Sequence, residues 1–350
     1  MKIAQIAPLF ESVPPRHYGG TERVVSYLTE ELVRQGHEVT LFASGDSDTA
    51  ATLVAPVPVS GRPQPGWASW LPAHCVELDM VMERIAQFDV LHFHTDLLHF
   101  PLVRRTGVAH VTTLHWRLDL PELAPLFHHF NDVPVVSISR QQQSPLPHAR
   151  WVGTVHHGLP GDQYRYGPGD GGYFLFIGRF SPEKRVDRAI EIAQHCGTPL
   201  YVAAKIDETR PDYFEKEVRP LLDRPFVRYV GEIGEREKRE LLGGALALLS
   251  PIDWPEPFGL VLIEALACGT PVIAYRNGAV PEILDDGVTG FIVENQEQAV
   301  EAACKVHALD RRACRDAFER RFTAERMAAN YLQIYRALQD RHSEAAPRTR

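Results

Sequence analysis

Twice along this 350-residue chain, short apolar runs alternate with longer amphipathic stretches. That rhythm constrains the fold more than any single motif does, because parallel strands need a crossover of a dozen or more residues, usually a helix. In the first half, strands are expected at Ile3 to Pro8, Val39 to Ala43, Val90 to Phe93, His110 to Leu114, Val133 to Ile138 and Trp151 to Val155. A helix is expected from Glu22 to Gln35, with Val24, Val25, Leu28, Leu32 and Val33 on one face and Gly36 as its stop. A second series follows, with strands at Phe174 to Ile177, Leu200 to Ala203, Val227 to Val230, Ala245 to Ser250, Val272 to Ala274 and Phe291 to Val293. Helices such as Val186 to His195 and Glu297 to Ala308 separate them. Pro56 to Pro72, rich in proline and tryptophan, reads as an irregular loop, and the stretch from Gly158 to Gly172, rich in glycine and proline, as the linker between two Rossmann-like domains. The length also favours two cores.

Near the last third stands Glu256-Pro257-Phe258-Gly259-Leu260-Val261-Leu262-Ile263-Glu264, followed by Ala-Leu-Ala-Cys-Gly-Thr-Pro-Val. Pro257 and Gly259 punctuate a loop, and Leu260 to Leu266 reads as a short apolar helix. The first N–H groups of such a helix have no internal partner and attract anions. Glu264 lies roughly 6 Å further along the axis, at about 1.5 Å per residue. One carboxylate can therefore meet a ligand at the helix mouth and the other a turn deeper. A phosphate flanked by two hydroxyl-bearing rings, as in a nucleotide-sugar, fits that layout.

The run resembles the E-x7-E signature of the retaining glycosyltransferases of family 4, which have the two-domain GT-B fold. Gly178-Arg179-Phe180-Ser181-Pro182-Glu183-Lys184 resembles that family's diphosphate-binding Arg and Lys, and Tyr18-Gly19-Gly20-Thr21-Glu22 its glycine loop after the first strand. Order and spacing match from Met1 to about Tyr335. The resemblance implies two doubly wound α/β domains with a deep interdomain cleft. Residues 1–165 would form the acceptor domain and 166–323 the donor domain, with a terminal helix at 324–340 crossing back to the first domain and a frayed tail at 341–350.

By position in the family pattern, Glu256 would accept hydrogen bonds from donor-sugar hydroxyls, with Phe258, Gly259, Leu260 and Val261 offering backbone N–H groups. Glu264 would bind the ribose hydroxyls. Arg179 and Lys184 would hold the diphosphate and neutralise the leaving group, so that no metal and no cofactor is needed. Gly19 and Gly20 would let a helix N-terminus approach the diphosphate, and the Gly231-Glu232-Ile233 loop would touch the base through its backbone. His115 matches a position that holds the donor sugar, and Asp96 and Asp119 are candidates to face the acceptor. One departure stands out: where the family usually has Gly after the Lys, this chain has Arg185. That residue either stiffens the loop or adds a phosphate contact. The implied activity is transfer of a hexose, with UDP-glucose as the favoured donor, because the first fifty residues are similar to bacterial enzymes that glycosylate pterins, antibiotics and other small molecules.

Composition trims the alternatives. The hydrophobic share is 44%, and no apolar run reaches the length of roughly 18 residues that a membrane span needs. The first residues are too strand-like for a signal peptide, so a cytoplasmic protein is expected. The net charge of −8 gives no general attraction to nucleic acid or anionic lipid. Within residues 1–165, 12 Lys plus Arg against 16 Asp plus Glu leave −4, which favours a soluble acceptor. Cys75, Cys196, Cys268, Cys304 and Cys314 lack C-x-x-C spacing and read as reduced, mostly buried thiols. The 16 histidines show neither H-E-x-x-H nor Cys₂His₂ spacing. Asp46-Ser47-Asp48 reads as a turn rather than a metal-binding D-x-D. A G-x-G-x-x-G dinucleotide fingerprint is missing at Gly19-Gly20. A nucleotide-sugar epimerase of the same fold and a non-catalytic nucleotide-sugar sensor stay open. Sequence alone does not give the oligomeric state.

Overall fold

The computed structural model describes residues 1–16, 19–61, 70–207 and 210–345, with side chains through Arg341. The chain divides into one unit of Met1–Gly158 with Ala324–Arg350 and another of Leu159–Thr323. Tyr18, part of the expected glycine loop, residues 62–69 of the expected loop at 56–72, and tail residues 346–350 lie outside the described residues.

In the first unit, β1 (Lys2–Ile6), β2 (Glu38–Phe42), β3 (Thr52–Val54), β4 (Val90–Phe93), β5 (Ala109–Thr113), β6 (Pro134–Ser137) and β7 (Arg150–Thr154) pair in the order β3-β2-β1-β4-β5-β6-β7. All pairs are parallel. The central strands read as near-continuous apolar runs because both faces of a parallel sheet are covered. Ile3, Ala4 and Ile6 on β1, and Val90, Leu91 and Phe93 on β4, are wholly buried. The helix Gly20–Arg34 buries Val24, Val25, Leu28 and Leu32, but also Arg23, Ser26, Thr29 and Glu31, so it is enclosed on more than one side. The chain leaves it through Gly36, at φ 83, which a side chain would strain.

The three-residue β3 was not foreseen, being too short to show a period. Leu71 and Pro72, expected within an irregular loop, instead open the helix Leu71–Glu83, with proline in the first turn where its missing N–H costs nothing.

In the second unit, β8 (Phe174–Phe180), β9 (Leu200–Ile206), β10 (Val227–Gly231), β11 (Ala247–Ser250), β12 (Val272–Tyr275) and β13 (Gly290–Val293) form a parallel sheet ordered β10-β9-β8-β11-β12-β13. Phe174, Phe176, Val202 and Leu249 pack with Val186, Ile190 and Ala193 of the helix Val186–His195 in one core. The glycine-rich stretch belongs to this unit from Leu159 onward. Its N–H groups at Gly167, Gly169 and Gly171 bond the carbonyls of Cys268, Gly243 and Gly244, at 3.0, 3.0 and 2.9 Å. A Cβ on Gly167 would fall 2.3 Å from the Cα of Gly243, so that contact requires glycine. Arg311 adds bonds to the carbonyls of Gly167, Gly243 and Ala245, which makes the segment a fixed seam of the unit.

The cysteines are less buried than expected. Cys268 and Cys314 are buried, but Cys75 and Cys304 are exposed and Cys196 is intermediate. Cys196 and Cys304, 108 positions apart, bring their sulfurs to 3.2 Å. Among the described residues, no helix is long and apolar enough to cross a membrane.

Candidate functional site

In an open sheet with this strand order, loops leaving two adjacent strands diverge and open a crevice at their carboxyl ends. In the second unit those strands are β8 and β11. Arg179 is the penultimate residue of β8, and the chain then runs through extended Ser181 into a 3-10 turn, Pro182–Lys184. From the β11 side, the loop carries Asp253, Trp254 and Glu256. A hydrogen bond of 2.8 Å from the Asp253 N–H to the Glu183 carbonyl ties the two loops together.

That tie brings Lys184 Nζ to 2.5 Å from Glu256 Oε2. The indole Nε1–H of Trp254 donates to the same oxygen at 3.0 Å, and its ring lies 5.6 Å from the ammonium. The Glu256 backbone is held as well: its carbonyl accepts from Ala279 N–H at 3.0 Å, and a Cβ on Gly278 would stand 2.1 Å from that carbonyl oxygen. Arg179 is less tightly bound. Its Nη2 reaches Glu183 at 3.4 Å, while its buried Nε makes no hydrogen bond among the described residues although Asp207 Oδ2 is 3.4 Å away. The guanidinium therefore has donor capacity left for a ligand.

The helix Leu260–Ala267 starts at Gly259, which has φ 92, and no side chain caps it. Its first N–H groups, at the half-exposed Leu260 and Val261, suit an anion. Phe258 points inward, with its ring 6.3 Å from that of Phe322, so it can offer a ligand only its backbone. Glu264 is buried in this apolar helix, and its Oε1 is 2.6 Å from Lys238 Nζ and 3.4 Å from the Tyr164 hydroxyl. Lys238 also meets Glu235 at 2.7 Å. Burial alone would lower the Lys238 pKa, but the two carboxylates overcome it and hold it above its ordinary value.

Gly231 ends β10 at φ 82, with open space where a Cβ would be, followed by exposed Glu232 and half-buried Ile233. Arg185 keeps the left-handed conformation, φ 53, that a glycine would favour. Its guanidinium is clasped by Asp187 at 2.8 Å and Asp253 at 2.9 Å.

In the first unit the corresponding divergence lies between β1 and β4. Gly19 precedes the helix that opens at Gly20, and a Cβ on Gly19 would press to 2.7 Å from Pro15. His115 follows β5, with Nε2 2.9 Å from His94 Nδ1 and its ring stacked on His157 at 5.4 Å. Burial lowers its pKa to about 3. Asp96, after β4, has the left-handed φ of 49. Its carboxyl is pushed up to about 6 by the desolvation of its surroundings, even though the residue keeps an exposed surface. Asp119 is gripped by Arg117 at 2.6 and 2.7 Å, which holds its carboxyl below the usual range. In the Asp46-Ser47-Asp48 loop, Asp46 accepts from the Ser60 N–H at 2.9 Å and Ser47 from the Val13 N–H at 2.9 Å. Among the described residues, no three His, Cys, Asp or Glu side chains are placed to hold a metal ion.

Sequence reading missed Lys238, Trp254, Asp207 and Gly278. Lys238 looks like the surface end of an i,i+3 pair with Glu235. Only the fold reveals that it turns inward to Glu264.

Two open parallel sheets of this strand order, the second with an uncapped helix mouth at the carboxyl ends of its strands, have the architecture of the GT-B glycosyltransferase class, and the solved structures similar to this chain share it. The model for glycosyl transferases group 1 matches residues 167–316, and the model for glycosyltransferase family 4 matches residues 18–152. The chain belongs to glycosyltransferase family 4. It is similar to an uncharacterised 41.2 kDa protein of the cps region in Klebsiella pneumoniae, 31% identical over 169 residues that make up 47% of this chain and 46% of that one. A glycosyltransferase involved in avilamycin A biosynthesis superposes with TM-score 0.74 at 25% identity, covering 97% of this chain and 98% of that one. The Anabaena protein HepE, crystallised with UDP and glucose, gives TM-score 0.73 at 18% identity over 96% and 100% of the two chains, which is a likeness of fold alone. The chain spans less than half the length of the first curated relatives it matches, 46%, 19% and 46% of them.

Proposed function

We propose that this protein is a retaining hexosyltransferase that moves glucose from UDP-glucose to a hydroxyl of a soluble acceptor, without a catalytic metal. The observation that carries the reading is the Lys184–Glu256 pair, 2.5 Å apart, at the divergence of β8 and β11, with the uncapped helix mouth at Gly259 next in the chain. A cation and a helix N-terminus serve the diphosphate of one ligand, and a fixed carboxylate serves its sugar hydroxyls. Complexes of HepE with UDP and glucose support the choice of donor by analogy of fold.

Departure of UDP develops negative charge on the β-phosphate. Arg179, Lys184 and the helix N-terminus are the preorganised positive groups that would stabilise it. The departing phosphate would take the acceptor's proton as the acceptor attacks the same face of the sugar, retaining configuration. Glu256 would fix sugar hydroxyls, and Glu264 the ribose, in exchange with Lys238. His115 would offer its ring to a sugar hydroxyl.

The test is a thermal-melt panel with UDP, GDP, ADP and NAD, followed by transfer assays with UDP-glucose. A ligand at 100 times its dissociation constant stabilises the native state by about 2.7 kcal/mol. A shift selective for UDP with turnover that persists in EDTA is the expected outcome. A shift by NAD alone, or a strict need for a divalent metal, overturns it, and UDP binding without turnover on any acceptor points to a sensor.

A further inference from the structure

The first unit holds a continuous chain of neutral hydrogen-bonding groups that starts at His115 and ends on the helix Ala324–Ala345. His115 Nε2 lies 2.9 Å from His94 Nδ1, and His94 Nε2 lies 2.8 Å from Gln5 Oε1. Gln5 Nε2 donates to the Tyr335 hydroxyl at 3.2 Å, and that hydroxyl is 2.7 Å from His92 Nδ1. His92 Nε2 is 2.7 Å from Thr113 Oγ1, itself 2.9 Å from the Tyr331 hydroxyl. The sheet register explains the meeting, since Gln5 pairs with His92 across β1 and β4. Tyr331 and Tyr335 are one helical turn apart on the covering helix.

This chain has a direction. An amide oxygen can only accept, so His94 Nε2 carries the hydrogen; a neutral imidazole has one N–H, so His94 Nδ1 is bare and must accept from His115 Nε2–H. Neutral His115 then has a bare Nδ1, an acceptor with no hydrogen-bond partner among the described residues. The other links agree: Tyr335 accepts from Gln5 and donates to His92 Nδ1, which leaves His92 Nε2–H for Thr113 and the Thr113 hydroxyl hydrogen for Tyr331. Burial holds His92 and His94 well below the usual imidazole range, so the rings stay neutral. Turning the Gln5 amide over would reverse every link and leave His115 with Nδ1–H, a donor.

We infer that Gln5 and His94 are positioning residues that fix His115 as the Nε2–H tautomer, so that Nδ1 accepts a hydrogen bond from a hydroxyl of the donor hexose. The inference rests on the proposed donor reading of His115, which the test separates from the relay itself.

The full-length chain, labelled with ¹⁵N-histidine, is examined by long-range ¹H–¹⁵N correlation NMR at pH 7.5, with the His115 signals assigned by their loss in His115→Gln. The wild type is expected to show a bare Nδ1 and protonated Nε2 at His115. In Gln5→Met, and in Tyr335→Phe, which frees the amide while keeping the ring, the signature becomes a mixture of both tautomers. KM for UDP-glucose then rises about fivefold, the usual contribution of one neutral hydrogen bond, with a smaller change in kcat. A wild-type His115 protonated at Nδ1, a tautomer unmoved by both substitutions, or an unmoved KM in a variant whose tautomer has shifted overturns the inference. Because the spectrum is recorded without ligand, a wrong donor assignment leaves it as expected and shows only in the transfer assay.

Discussion

The two units share the strand order 3-2-1-4-5-6 at their cores and carry opposite chemistry at the ends of those strands. In the second unit the groups are charged: Lys184 with Glu256, Lys238 with Glu264, and Arg179 near Asp207. In the first, the groups linked to His115 are neutral and directional, namely Gln5, His94, Tyr335, His92 and Thr113, while the charged Arg117–Asp119 pair lies further along the loop after β5. A charged site suits phosphate, whose charge grows as the bond breaks, whereas a neutral relay suits hydroxyls, which need a defined donor or acceptor. On the proposed function, one backbone arrangement would support both tasks, with the side chains at a few strand ends dividing them.

The largest test of that division is Lys184→Ala. If the charged site stabilises the leaving phosphate, kcat for UDP-glucose should fall about 10²- to 10³-fold, far beyond the fivefold effect expected in the neutral relay, with the circular dichroism spectrum unchanged. A loss of less than tenfold would place the phosphate elsewhere.

Acid should separate the units next. Burial is the leading cause that lowers His92, His94, His99, His115 and His157 in the first unit. Unfolded, each ring titrates near 6.5. As pH falls below that value the unfolded chain takes up protons that the folded one refuses. These rings therefore remove stability from about pH 6.5 downward, by up to about 1.4 kcal/mol per pH unit per ring, with the His115 loss continuing to about 3 and the raised carboxyls of Asp96 and Glu77 offsetting part of it. In the second unit, burial would raise the Asp187 carboxyl, but Arg185 outweighs it and leaves the pKa lowered. Its contribution is present above the unfolded value and fades only as pH drops below about 4. Hydrogen exchange at pH 7.5 and 5.5 should show protection lost first in peptides of the first unit; equal loss in both would contradict the contrast.

Two buried glutamates sharpen the comparison further. Glu264 has Lys238, whereas Glu77, on the helix Leu71–Glu83, is fully buried with neither carboxylate oxygen hydrogen-bonded among the described residues. Burial pushes the Glu77 carboxyl well above its usual range. Its folded form is stable below the unfolded pKa and loses stability as pH rises above it. Glu77→Met should therefore stabilise the protein at pH 7 by about 1–3 kcal/mol in urea melts, with the gain fading toward pH 4. Glu264→Met should destabilise it, because Lys238 would be left near one carboxylate instead of two. Destabilisation by both would mean that Glu77 has a partner in the native state.

Strand positions were legible because parallel strands covered on both faces give apolar runs with little ambiguity. Arg179, Lys184 and Glu256 were picked out because the family motif fixes their spacing, and the fold brings Lys184 and Glu256 into contact. Their local partners were not. Trp254 and Gly278 act through a 3.0 Å side-chain bond and a backbone approach that no spacing encodes. The relay was hidden for a different reason. Gln5, His94 and Tyr335 are 330 positions apart at the extremes and meet only because β1 and β4 pair and the last helix covers them. His92 and His94 belong to sixteen histidines that show no metal-binding spacing, and it took their partners to show a hydrogen-bond path.

The smallest expected effect concerns Arg185, where this chain departs from the glycine that its family usually has. At φ 53 a side chain costs roughly 1–2 kcal/mol, and glycine would recover that. Glycine would also lose the contacts to Asp187 and Asp253, at 2.8 and 2.9 Å. Both are partly exposed, and such pairs each contribute about 0–1 kcal/mol. The two effects nearly cancel, so Arg185→Gly should shift stability by less than about 1 kcal/mol. Nucleotide binding decides what the residue is for. With the guanidinium held by two carboxylates, its charge is already neutralised within the loop, and UDP affinity in the variant should stay within about twofold of wild type. A tenfold loss, equivalent to about 1.4 kcal/mol, would mean that Arg185 leaves its carboxylates for the diphosphate and joins Arg179 and Lys184 in the charged site.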